Sequence, residues 1–437
     1  TGEDTLSLHD ALPIYLRLDD NTGLLYALAN SDVVFPVFIF DKKQVNPERN
    51  SYFGSNCVQF MSESLVDLDG QIKKKGGFGL NILTGNFPDI FKDILNNVKP
   101  NFVCVNMDYT PYSKERDSLI KDSCEQFKVE FKSFEDICLN TIEQAKGNYN
   151  GDVFYKKFTP YYNSVVNHKI KVPVECKATN FSKDPIEIKG CVVRDFGKSL
   201  YQQNDRLIVN GGRTQALQVI GKINLMKNYA TIRNDLTQTT SLLSAYNKFG
   251  CLSIREVYHT SKAVLKDKAE AFLRQLYWRD FYYYIAYFFP HVFSGPMKPS
   301  YSQIPWDDSP AKLQAWQDGK CGCPIVDAAM RQLNTVGWMP NRVRMIVSNY
   351  LIKDLHINWQ DGERYFANKL VDYDPSQNNG GWQWSSGSGV DSQPYFRIFN
   401  PVLQMQKFDP KCIYIKKWIP ELKDVPAEDI HNWETTH

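Results

Sequence analysis

Short apolar runs alternate with amphipathic stretches through the first 125 residues, and this alternation constrains the N-terminal fold more than any other feature. Residues 33–40, VVFPVFIF, read as a buried strand ending at Asp41. Residues 58–74 carry Phe60, Met61, Leu65 and Leu68 at helical spacing; 80–83 reads as a strand, 87–97 as a helix and 102–105 as another strand. Strands separated by helical crossovers pair in parallel, and a strand covered on both faces reads as a continuous apolar run. From about residue 228 the period changes to that of helices, clearest over 275–290, 324–333, 342–355 and 362–370. The stretch between, about 126–225, is richer in Pro, Lys and Asn and reads as a long connector. All nine Trp lie at Trp278 or later, so the two ends carry different chemistry.

A chain of 437 residues exceeds one ordinary core, and 43% hydrophobic with 23% charged residues describes a folded protein. The net charge of +2 gives no global polyelectrolyte signature, so a nucleic-acid partner would need a local basic groove. The longest aromatic run, FYYYIAYFFP at 281–290, is too short to cross a bilayer, and no membrane association is expected. Ten scattered Cys, with Cys321 and Cys323 only as CxC, point to reduced thiols in the cytoplasm or nucleus and to no metal site.

Residues 5–14, TLSLHDALPI, are one translation of a common short-read sequencing adapter. They are set aside as an artefact, with a gap or distorted segment expected where the first strand should run. The expected organisation is therefore 1–14 artefact, 15–125 α/β domain, 126–225 connector and 226–437 helical domain, with a truncated C-terminus.

Asn341, Arg344 and Met345 follow i, i+3, i+4 spacing and share one helical face, as a ligand-facing surface or as an amphipathic edge. Asp372 and Asp374 lack a third ligand for a metal; one of them could instead hold Arg344 in a bidentate pair. TTSLLS at 239–244 is a helix N-cap or a phosphate cradle, with Tyr229 and Arg233 just upstream and Arg279 adding a cation. QNNGGWQW at 377–384 sets Trp382 and Trp384 on a Gly-rich frame. No Walker lysine, HExxH or Ser-His-Asp order is present, so an aromatic pocket points to redox chemistry carried by a bound cofactor.

The block GWMPNRVRMIVSNYLIKDL, followed by GERYF, NNGGWQW and PYFRIFNP, closely resembles the photolyase/cryptochrome family, most of all its class I cyclobutane pyrimidine dimer photolyases. The likeness is dense over 229–425 and collinear over 16–117. It implies a Rossmann-like α/β antenna domain, a connector and an all-α FAD-binding domain. It further implies a monomer that binds damaged DNA and a second antenna chromophore of folate or deazaflavin type. By resemblance, Tyr229, Thr240, Ser241, Leu242, Leu243, Ser244 and Arg279 bind FAD phosphates and ribityl chain. Asn341, Arg344, Asp372 and Asp374 surround flavin and adenine, and Asn378 faces flavin N5. Trp278 and Trp384 would clamp a flipped dimer over Met345, with Asn341 and Gln275 beside it. Trp382, Trp359 and Trp306 would form an electron chain, and Arg233, Arg342 and Arg397 would meet DNA phosphates. Gln275 stands where class I has Glu, Phe272 where it has Trp, Pro340 where it has His, and Asp108 where folate-binding members often have Glu. The expected function is blue-light repair of pyrimidine dimers. The alternatives are a cryptochrome-like photoreceptor, a (6-4) photolyase, or a fragment inactivated by its ends.

Overall fold

The computed structural model describes residues 6–10, 15–147, 154–392, 394 and 397–432. Five parallel strands, β1 (Leu6–Asp10), β2 (Val33–Asp41), β3 (Asn81–Gly85), β4 (Phe102–Asn106) and β5 (Glu130–Phe134), form one sheet in the order β3-β2-β1-β4-β5. Helices α1 (Thr22–Asn30), α2 (Ser55–Lys74), α3 (Phe87–Val98) and α4 (Pro111–Phe127) supply the crossovers. Period-two burial is clear. On β2, Val34, Phe38 and Phe40 enter one apolar cluster, while Val37 and Ile39 enter another on the opposite face. On β4, Phe102 and Cys104 alternate with Val103 and Val105 in the same way. Both faces of the sheet are thus covered, as a parallel sheet requires.

The expectation of a gap at the first strand is corrected. Leu6–Asp10 runs between β2 and β4 in regular register, from Leu6 opposite Val33 to Asp10 opposite Val37. Strand pairing uses main-chain groups, and the slot between β2 and β4 would otherwise leave two unpaired edges. Thr5 and residues 11–14, including Pro13, lie outside the described residues. Tyr15 is 1% exposed and donates its hydroxyl to the Met107 carbonyl. The sheet also extends past residue 125. β5 is a half-exposed edge strand, EFKSF, whose Glu130 and Lys132 interrupt the apolar signal.

The α/β and helical parts share one core. The largest cluster joins Leu16 and Phe60 to Phe158 of α5 (Phe158–Val165), Tyr246, and Phe272 and Phe281 of α7 (Glu270–Phe288). A buried charge cluster crosses the same junction. Asp136 accepts from Arg17 and, at 2.6 Å, from Arg255, whose Nε reaches Asp20 at 2.8 Å; α6 (Ile254–Leu265) carries Arg255. Burial by itself would raise Asp136, but Arg17, Arg255 and Thr22 hold it down at about 2.

A second cluster fills the helical domain between α8 (Pro324–Val336), α9 (Asn341–Asn349), α10 (Trp359–Lys369) and α11 (Pro375–Ser386). The stretch expected as one helix over 342–355 ends its α-helical part at Asn349 and continues as a π-helical turn, Tyr350–Asp354. Asp374 caps α11 by accepting from Ser376 N and Gln377 N, and Gly387 closes it at φ 82°. Lys353 and Lys298 donate to the Ser386 and Gly387 carbonyls at the far end. Acid at the start and cations at the end both favour the helix dipole.

Candidate functional site

α7, α9 and α11 enclose a cavity of about 500 Å³. α7 presents Gln275, Trp278, Arg279 and Tyr282 to it, at i, i+3, i+4, i+7 spacing. α9 presents Asn341, Arg344 and Met345, so the face read from spacing is a cavity face and not an amphipathic edge. α11 contributes Asn378, Trp382 and Trp384, and the loop before it Asp372 and Asp374.

At the polar end, Arg344 NH2 reaches both oxygens of Asp372, at 2.8 and 3.1 Å, while its Nε donates to the Met339 carbonyl at 2.9 Å. Asp374 is occupied by the α11 cap and by the Tyr283 hydroxyl. Asn378 Nδ2 donates to the Glu363 carbonyl at 3.0 Å. A carbonyl can only accept, so the amide nitrogen is fixed there and Oδ1 is left as the acceptor on the cavity side. Gln275 behaves similarly: Nε2 donates to the Ala271 carbonyl at 3.3 Å, leaving its oxygen. Behind Asn378, Glu363 is 3% exposed and accepts from Asn379 Nδ2 at 3.2 Å and the Tyr52 hydroxyl at 3.3 Å. Burial pushes its carboxyl up to about 7, with Asn379, Tyr52 and Arg364 opposing.

The aromatic end is built from separate elements. Trp278 stacks on Phe158 with ring centres 3.7 Å apart and planes 7° apart. Trp384 stands on α11 and Met345 on α9, with Asn341 Nδ2 3.6 Å from the Met345 sulfur. Trp382 is buried at 2%, boxed edge-on by Phe366 at 5.0 Å and Trp316 at 6.1 Å. Trp359 is in the same cluster and Trp306 is on its partly exposed rim. Gly362 lets α10 lie against Trp382, since a Cβ there would sit 2.2 Å from the indole. The two glycines of NNGG differ. A Cβ on Gly380 would lie 2.1 Å from the Tyr282 ring, whereas one on Gly381 meets nothing within 4 Å and faces the cavity. Close packing therefore requires glycine at 380 and not at 381.

Arg233 and Arg342 line the mouth. Arg342 donates twice to Asn234 Oδ1, at 3.1 and 2.9 Å, and its guanidinium lies 4.4 Å from the Phe408 ring centre. Arg397 is exposed but is not among the cavity-lining residues. Of the hydroxyl run only Thr240 lines the cavity, with Tyr229 nearby. Ser241, Leu242, Leu243 and Ser244 do not; Leu243 is 2% exposed, and the helix that Ser244 begins has no side-chain cap, which corrects the N-cap reading. Arg279 donates to the Ile137 carbonyl at 2.6 Å and thereby ties the connector to the site. Phe272 is buried, edge-on to Tyr229 at 5.3 Å, and does not reach the cavity. Pro340 immediately precedes α9. Sequence reasoning missed Tyr282 and Gln377 as lining residues. Tyr282 was readable as the i+4 neighbour of Trp278, and Gln377 Nε2 holds the Arg279 carbonyl at 2.9 Å. Asn234 carried no signal.

A second cavity of about 360 Å³ lies between the two domains, beyond the C-terminal end of β2. Asp41, Tyr52, Asp108, Tyr112, Lys248, Glu363 and Tyr373 are among its walls. Ligands of open α/β sheets bind in this crevice outside the carboxyl ends of strands. Glu363 thus borders this cavity with its side chain and anchors Asn378 of the first with its carbonyl.

The fold is a parallel α/β domain joined to a helical domain, whose cavity combines polar and charged side chains with several aromatic rings, a lining suited to a large, flat, polar-edged ligand. The family description "DNA photolyase" matches residues 15–178, and "FAD binding domain of DNA photolyase" matches 272–437. The chain is 32% identical to the deoxyribodipyrimidine photo-lyase of Halobacterium salinarum, over 96% of this chain and 90% of that one. It superposes on an archaeal photolyase from Sulfolobus tokodaii with two FAD molecules at TM-score 0.87, 38% identical, covering 99% and 94% of the two chains. It superposes on a bacterial class III photolyase from Agrobacterium tumefaciens at TM-score 0.90, 29% identical, covering 100% and 91%. The chain belongs to the DNA photolyase family.

Proposed function

We propose that this chain is a deoxyribodipyrimidine photo-lyase, using FAD and blue light to split cyclobutane pyrimidine dimers in DNA. The observation that carries the reading is a single cavity lined both by Asn378 and the Arg344–Asp372 pair and by Trp278, Trp384 and Met345. A cofactor and an extruded base would therefore lie against each other. The residues fit FAD: a cavity of ligand size, an Asn378 whose amide oxygen can accept, a guanidinium locked by carboxylate, and Gly381 open toward the volume.

FAD held there in its reduced form supplies a light-absorbing one-electron donor. Tyr229, Thr240 and Arg279, which line the cavity, would hold its phosphates, while Ser241, Leu242, Leu243 and Ser244 lie outside the lining. Asn341, Arg344, Asp372 and Asp374 hold the ring systems. Asn378 Oδ1 would be available to accept a ring N–H of the bound flavin. Trp278 and Trp384 stack on the extruded dimer, Met345 and Asn341 support it, and Gln275 offers its oxygen. Extrusion costs a few kcal/mol, least at a damaged step. Arg233, Arg342 and Arg397 neutralise phosphates around it. Trp382, Trp359 and Trp306, which share one apolar cluster, would supply a route for an electron to the bound cofactor. The second cavity takes a flat antenna chromophore; the aromatic wall formed by Tyr52 and Tyr373, 6.4 Å apart and 19° from parallel, supports this.

The test is light-dependent loss of thymine dimers from an oligonucleotide incubated with the FAD-loaded, chemically reduced protein. Dimer binding without light-dependent reversal would favour a photoreceptor, and reversal confined to (6-4) products would reassign the substrate.

A further inference from the structure

We propose that Phe158, in the stretch joining the two domains, is a positioning residue for damage recognition: it fixes the one face of Trp278 that a flipped dimer can use. The inference rests on the reading of Trp278 as a substrate wall. Phe158 is 1% exposed and opens α5, far in sequence from the helices that build the cavity. Its ring lies flat on the Trp278 indole, with centres 3.7 Å apart and planes 7° apart. Free aromatic pairs prefer offset or edge-on arrangements to a centred stack. Here the surroundings impose the stack. Phe281 meets both rings edge-on at 5.9 Å, and Arg274 lies 5.1 Å from the Phe158 ring centre and 4.5 Å from that of Tyr162. Arg274 and Trp278 are i, i+4 on α7, so one helical face grips Phe158 at two points.

The start of α5 is in turn tied to the loop after α11. Asp391 N donates to the Lys156 carbonyl at 3.2 Å, and the Asp391 carboxyl accepts from the Phe158 main chain. Asp391 holds a left-handed φ of 48°, a region that Asp enters more readily than most non-glycine residues. With one indole face closed by Phe158, stacking by a planar ligand is confined to the other. The distance from that face to Trp384 and Met345 then depends on Phe158. The connector therefore helps to set the width of the slot, and with it the preference for a dimer over an intact base.

The experiment measures dark binding of the FAD-loaded protein to an oligonucleotide with one thymine dimer and to its undamaged twin. Phe158→Leu keeps an apolar side chain but removes the flat ring. It is expected to lower the dimer preference about three- to tenfold, the range an aromatic pair supplies, with undamaged binding and FAD absorbance unchanged. Phe158→Tyr, which keeps the ring, should hold the preference within about twofold of the parent on the same scale. Trp278→Ala is the control on the underlying reading. If Trp278→Ala abolishes the preference and Phe158→Leu leaves it intact, the positioning role is wrong and the wall stands. If Trp278→Ala leaves the preference intact, the wall itself is wrong and the proposal falls with it. If Phe158→Leu weakens both DNAs alike and sheds FAD, Phe158 is a packing residue only and the proposal is overturned.

Discussion

Gly380 and Gly381 are neighbours in the middle of α11, yet replacing each by Ala should act in opposite directions. Glycine inside a helix costs about 1 kcal/mol relative to alanine, so either substitution starts from that gain. At Gly381 nothing opposes it: the added Cβ meets no atom within 4 Å. At Gly380 the Cβ would lie 2.1 and 2.2 Å from two carbons of the Tyr282 ring. Carbon atoms pack at about 3.5–4 Å, so the ring or the helix must move by more than 1 Å. Overpacking of this kind costs about 1–3 kcal/mol, which outweighs the helical gain. Urea unfolding of the cofactor-free protein should therefore show Gly381→Ala more stable by about 1 kcal/mol and Gly380→Ala less stable by up to about 2 kcal/mol. Cofactor binding should separate the pair again. The Gly381 Cβ enters the volume assigned to FAD, so a fluorescence titration should show Gly381→Ala losing affinity while the apoprotein gains stability. The reasoning fails if the two variants shift stability in the same direction, or if Gly381→Ala binds FAD as tightly as the parent.

Trp382→Phe should stop photoreduction of oxidised FAD while chemically reduced protein still repairs dimers; undiminished photoreduction, read from the flavin absorbance in the presence of a thiol, would remove Trp382 from the electron chain. Trp384→Ala should weaken dimer-containing DNA by about 1–3 kcal/mol and undamaged DNA far less, because one stacking face is lost; equal weakening in a binding titration would make Trp384 structural. Glu363 titrates near 7 in the folded chain against an ordinary value near 4.5, because burial favours its neutral form. The folded state thus holds the proton more tightly: the contribution is complete below about pH 4.5 and is lost as pH rises through about 7, at most about 3 kcal/mol. Glu363→Gln should flatten this part of the stability–pH curve, and an unchanged slope would contradict the burial argument.

The alternation of apolar runs was enough to place β2, β3 and β4, because strands covered on both faces are mostly apolar along their length, with polar residues such as Asn81, Asp41 and Asn106 confined to their ends. It could not place β5, whose edge position lets Glu130 and Lys132 face water. Nor did periodicity announce the π turn at Tyr350–Asp354, which keeps helical spacing on either side. At the site, the i, i+3, i+4 face of α9 and the Arg344–Asp372 pair were readable from spacing and charge. Recognition of the family motif, and not spacing, brought in Trp278, Trp384 and Asn378. What stayed hidden depends on contacts distant in sequence: Phe158 behind Trp278, Asn234 under Arg342, and Glu363 between the two cavities.

The charge cluster at the domain junction bears on the order in which the chain can assemble as it leaves the ribosome. Arg17, Asp20 and Asp136 emerge first, as two carboxylates with one guanidinium, and the balancing Arg255 follows more than a hundred residues later. Until then, closing the sheet's edge would bury an unpaired negative charge, which costs several kcal/mol. The nascent α/β domain should therefore remain loosely closed until α6 is out, and compaction of both parts should come as one late event. A fragment ending before Ser253 is expected to be protease-sensitive, and Asp20→Asn within it should restore resistance by removing the surplus charge.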